Sequence, residues 1–284
     1  MISRERAFAA LDLKQADRTP ADYKAEPDVN ERMMAHFGLT DYEDLLKKLQ
    51  VDVRRLNPKQ ISRFNKDLGD GIFEDYWGIR STHLKASHGS YDMHVYTPVW
   101  DAQSLEDLER HDWPTPDIFD YSVMKEQRDG WDDYLVMYEG ADLFTRPCIL
   151  RNMENVMLDM ATNPEMVHYL LDKFTSFYCE DVNRAFEATG GRIDLYCEWS
   201  DFGTQRGLLF SIPMWREFMA PHLKRFIDTV HAGGAKFMLH SCGSIRELIP
   251  DFLELGIDAL ESRRRRRIRV STHDGLARLQ SRGD

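Results

Sequence analysis

Cysteine is scarce in this chain: four in 284 residues, at Cys148, Cys179, Cys197 and Cys242, with no regular spacing. That excludes a disulfide framework and leaves free or metal-binding thiols. Long apolar runs are missing as well. None could span a bilayer, so no membrane association is expected. The first eight residues lack the apolar core of a signal peptide, which points to a cytoplasmic protein. Positive charge is in deficit, 37 Lys and Arg against 48 Asp and Glu, for a net charge of -11. So acidic a chain argues against nucleic acid as a partner.

What is present is a chain that is 42% hydrophobic and long enough for one large core. Residues 3–13 read as an amphipathic helix that Ser3 could cap. Further helices are expected over 28–37, closed by Gly38, and over 41–49. Residues 61–103, rich in glycine, aromatics and histidine, suggest hairpins and long loops, and Ser104 opens a short helix through a capping box. Strands are expected near 21–23, over 51–56, where apolar and charged residues alternate up to Asn57-Pro58, and over 134–138, 193–199, 235–239 and 257–260. Helices over 154–160, 164–188, 211–231 and 245–255 alternate with them, with glycines at the joins. Strand, helix, strand, helix predicts parallel βαβ units. The fold class is therefore α/β, a TIM (β/α)8-type barrel with about six of its eight strands.

The most informative stretch is 235–243, Ala-Lys-Phe-Met-Leu-His-Ser-Cys-Gly. A buried strand there runs into a loop, and chemistry in parallel α/β folds collects where strands end. Side chains two apart on an extended backbone point the same way. His240 and Cys242 would then face one site as a zinc-type ligand pair. The plainer reading is a satisfied histidine beside a buried cysteine.

Residues 240–251, His-Ser-Cys-Gly-Ser-Ile-Arg-Glu-Leu-Ile-Pro-Asp, resemble the uroporphyrinogen decarboxylase superfamily, and within it the cobalamin-dependent (corrinoid) methyltransferases. Residues 3–20 resemble that branch's opening, and 198–205, Glu-Trp-Ser-Asp-Phe-Gly-Thr-Gln, its mid-barrel motif. The resemblance implies a zinc-dependent methyltransferase. It would move a methyl group between a small methylated substrate or thiol and a corrinoid carried on a partner protein. In that branch a further cysteine completes the zinc site, but no cysteine follows Cys242 here. Glu198 and Cys197 alternate in direction, so only one can face the site; Cys197 reads better as a core residue, which makes Glu198 the expected third ligand. Asp201 joins Glu198 as a candidate catalytic residue. Gln205 and Arg206 in the same loop, with Tyr138 and Glu139 ending another strand, are candidate substrate-binding residues. A cap network around Ser211 is the competing role for that loop. Histidines 83, 88 and 94 read as surface residues, and Asp17-Arg18 as a structural turn.

Two other readings stand beside this one. A uroporphyrinogen-type decarboxylase would need cationic groups for a polycarboxylate, whereas residues 21–28 are net acidic. An inactive, truncated barrel with exposed strand edges is the other. Residues 262–284 carry eight arginines against two aspartates, five of the arginines consecutive. That shift marks a boundary between a barrel domain over 1–261 and a basic tail, expected to be disordered and to come from a shifted reading frame. The sequence leaves homo-oligomerisation open.

Overall fold

The computed structural model describes residues 1–62, 66–86 and 89–262. His88 and the run of arginines lie outside them. Five parallel strands form the central sheet in sequence order: Val53–Arg55, Leu135–Ala141, Leu195–Trp199, Lys236–His240 and Ala259–Glu261. The helix Pro164–Thr189 joins the second strand to the third, and Ala220–Ala232 joins the third to the fourth. A 3-10 turn at Arg246–Leu248 and the helix Ile249–Leu255 join the fourth to the fifth. This is the order of a TIM-type barrel, left incomplete among the described residues.

The expected sixth strand is not one. Residues 21–23 run beside the first strand, with Asp52 donating its backbone N–H to the Ala21 carbonyl, but they form no ladder. The single helix expected over 211–231 is two, Ile212–Phe218 and Ala220–Ala232. Pro221 explains the break, because it has no N–H to continue the first helix. Ile2, not Ser3, caps the first helix, Ser3–Leu11, with Glu5 accepting its backbone N–H. The hairpins expected over 61–103 take shape as a four-stranded antiparallel sheet ending at Tyr96. Ser104 caps its short helix through a capping box, as the sequence suggests, and Asp41 caps the helix Tyr42–Lys48.

Alternation divides the parallel sheet into two faces. Val136, Tyr138, Tyr196, Phe237 and Leu239 pack under the helices in the main core with Phe174 and Phe226. Tyr138 and Tyr121 both donate to the wholly buried Asp181. On the other face, which a closed barrel turns to its axis, Val53, Leu135, Met137, Leu195 and Cys197 pack with Ala7 and Leu46. Asp17 and Arg18 are structural, as expected. Buried Asp52 accepts from Arg6, Arg18 and the backbone of Ala21, pinning the N-terminal segment to the first strand.

Candidate metal site

The axis-facing surface changes character at the carboxyl ends of the strands. Below lie the apolar side chains of Met137, Leu195 and Met238; above them the strands end in Arg55, Glu139, Trp199, His240 and Glu261. The register sets Trp199 beside His240, and His240 beside Glu261. A bulge at Gly140, with φ +133°, comes between Glu139 and the rest of its strand end.

His240 is nearly buried, and both ring nitrogens are engaged. Nδ1 meets the Glu261 carboxylate, and Nε2 lies 3.3 Å from the Cys242 sulfur and 3.6 Å from Asp201 Oδ1. The Trp199 ring lies alongside, its centroid 4.6 Å from that of the imidazole. Among the described residues, Asp201, His240 and Cys242 are the one set of three such side chains whose donor atoms all lie within 4.8 Å of one another.

Two loops, following the third and fourth strands, bring this set together. The Cys242 N–H donates to Asp201 Oδ1 at 2.6 Å, the Phe202 N–H to Ser241 Oγ at 3.0 Å, and the Ser244 N–H to the Thr204 carbonyl at 2.8 Å. Glycine makes this approach possible. Gly243 has φ +88°, and a Cβ on Gly203 would meet the Cys242 carbonyl at 2.9 Å.

The donor set fits a zinc ion. Ligands about 2.0–2.3 Å from zinc at tetrahedral angles stand roughly 3.3–3.8 Å apart. The separations of 3.3 and 3.6 Å around His240 Nε2 lie in that range. Glu261 on Nδ1 supplies the outer carboxylate that orients a ligating imidazole and leaves Nε2 for the metal. Three protein ligands would leave a fourth position open, and the Asp201 side chain is 46% exposed.

Two expected site residues turn away. Glu198 is in register with Leu239 and shares the helix-covered face, so it does not join His240 and Cys242. It is wholly buried, and it accepts from the Leu143 N–H at 2.9 Å and from Ser200 Oγ. Burial, with the nearby Asp142 charge, pushes its pKa up to about 8. Asp201, rather than Glu198, stands beside His240 and Cys242. The sequence could not separate the two, because Asp201 lies past the strand end, where alternation no longer applies. Tyr138 is the other. Its hydroxyl is spent on Asp181 beneath the helices, so it has no access to the strand ends. Cys197 is a core residue, as expected, and burial raises its thiol pKa.

The remaining candidates divide. Glu139 stands on the rim, ion-paired to Lys24 at 2.8 Å and Arg55 at 3.3 Å. Gln205 and Arg206 are exposed at the tip of a tight turn closed by Thr204 and Gly207. Ser211 caps only its own helix, through the Met214 N–H. His83 pairs with Asp92, and His94 with Ser81, on the antiparallel sheet. Sequence reading passed over Glu261, Trp199 and Lys24. The ends of strands were the available signal for the first two.

Residues 144–274 match the family model described as uroporphyrinogen decarboxylase (URO-D). The match covers 131 of the chain's 284 residues, and over them the chain is similar to the uroporphyrinogen decarboxylase superfamily. The matched span holds all three clustered side chains and runs past Glu261. Among solved structures, a methyltransferase from Methanosarcina mazei has a similar fold, with a TM-score of 0.58 and 18% identity over 92% of this chain and 75% of that one. No curated protein matches. No helix among the described residues is long and apolar enough to cross a membrane.

Proposed function

We propose that the chain is a zinc-dependent methyltransferase. It would move a methyl group between a small methylated substrate or thiol and a corrinoid carried by a partner protein. The observation behind this reading is the convergence of His240, Cys242 and Asp201 at the strand ends. Held by these three, zinc would supply Lewis acidity, keeping a thiol as thiolate or polarising a methylated oxygen or nitrogen.

The chain's own residues have distinct parts in this reading. Glu261 fixes the His240 ring through Nδ1. The Cys242 backbone N–H holds Asp201 Oδ1 in place. Glu139 and Trp199 wall the approach. Glu198, turned to the helices, is a buried brace between the ends of the second and third strands. The rim also favours methyl transfer over decarboxylation of a polycarboxylate. Its cations, Arg55 and Lys24, are already paired with Asp22 and Glu139. The test is transfer from free methylcobalamin to a small thiol by zinc-loaded protein. Thioether formation lost with Cys242→Ser is expected; no product above the protein-free rate overturns the reading.

A further inference from the structure

Lys24 lies in an irregular segment, residues 12–26, and reaches the carboxyl ends of the second and third strands. Its ammonium is 4.0 Å from the centroid of the Trp199 ring and 2.8 Å from Glu139 Oε1. An aromatic face and a carboxylate converging on one point make a cation receptor, the chemistry used to bind quaternary ammonium groups. The Trp199 ring in turn lies against His240.

Charge decides which ligand suits this place. Arg55 is committed to Asp22 at 2.5 Å and lies 3.3 Å from Glu139. Burial works against its charge, yet the two carboxylates outweigh burial and raise its pKa. With Lys24 in place, Asp22, Glu139, Lys24 and Arg55 balance. With Lys24 withdrawn, they carry one net negative charge beside an aromatic ring. Glu139 Oε2 is also buried without a hydrogen-bond partner among the described residues. An anion entering here would have to compete with two carboxylates already on the cations. A cation need displace only Lys24, whose side chain is 48% exposed.

We infer that Trp199 and Glu139 form a subsite for the cationic head of a methylated ammonium substrate, and that Lys24 occupies it in the absence of that substrate. As a substrate site this rests on the methyltransferase reading; as a cation site it needs neither metal nor turnover.

Calorimetric titration with tetramethylammonium tests it, using full-length wild type, Lys24→Ala, and Lys24→Ala combined with Trp199→Leu or with Glu139→Gln. Lys24→Ala is expected to bind about tenfold more tightly than wild type. Either second substitution should remove that gain, with the zinc content of all four proteins equal. Two second variants guard against one that folds poorly. Equal binding by wild type and Lys24→Ala, or a gain that survives both second substitutions, overturns the inference. So does methanesulfonate binding that depends on Lys24, which would make the lysine a reader of anions. Failure of the methyltransferase reading would appear separately, as absent thiol methylation by zinc-loaded wild type.

Discussion

A Cβ built on Gly243 would lie 2.4 Å from both the carbonyl carbon and oxygen of Gly203. The two loops that carry Asp201 and Cys242 therefore touch backbone to backbone, and any side chain at 243 pushes them apart. Gly243 is also left-handed, at φ +88°. Gly243→Ala is expected to lower stability by about 1–3 kcal/mol and to weaken zinc binding more than that loss alone explains. Thermal unfolding with and without added zinc measures both. A variant that binds zinc like wild type would show that the loop contact does not set the ligands.

Asp201 and Glu198 should respond in opposite ways to loss of charge. Asp201→Asn keeps an acceptor for the Cys242 N–H but removes a ligand carboxylate, and zinc affinity should fall at least about tenfold. Glu198→Gln should leave zinc affinity within about twofold, because Glu198 lies on the other face of the sheet. Competition with a chromophoric chelator gives both values. A reversed order would return Glu198 to the site.

Glu261 acts one step further out. Glu261→Gln retains an oxygen for the His240 Nδ1–H but no charge, and is expected to weaken zinc by roughly tenfold while leaving the number of ions bound unchanged. Titration followed by metal analysis separates affinity from stoichiometry.

Stability should fall as pH rises through the weakly acidic range. Burial, with help from Asp142, raises Glu198 from 4.5 to about 8, and burial raises Asp142 and Asp181 from 3.8 to about 6. Between each pair of values the folded protein holds a proton that the unfolded chain has released. Unfolding then releases protons, so this contribution is full below the lower value and gone above the higher. For Glu198 the effect is on the order of a few kcal/mol. Glu198→Gln should flatten the decline from pH 6 to 8 and leave the part below 6 to the two aspartates. Melting temperatures across pH 4 to 9 record this; an undiminished slope above pH 6 in the variant rules out Glu198 as its source.

The sheet was legible from two signals, apolar stretches near glycines in its later strands and the alternation over 51–56, and five strands pair where the sequence placed them. Residues 21–23 misled because so short a stretch, Ala-Asp-Tyr, can lie beside a strand without laddering to it. Pro221 was a readable signal for the helix break. His240 and Cys242 were found by their spacing alone. Asp201 could not be ranked above Glu198, because its position depends on Gly203 and Gly243 meeting across 40 residues. Lys24 reaches the site from an irregular segment, a placement no periodicity encodes.

The most direct test is the zinc content of purified wild type against Cys242→Ser. The account predicts close to one zinc per chain in the wild type and little in the variant. Equal, near-zero zinc in both would contradict it.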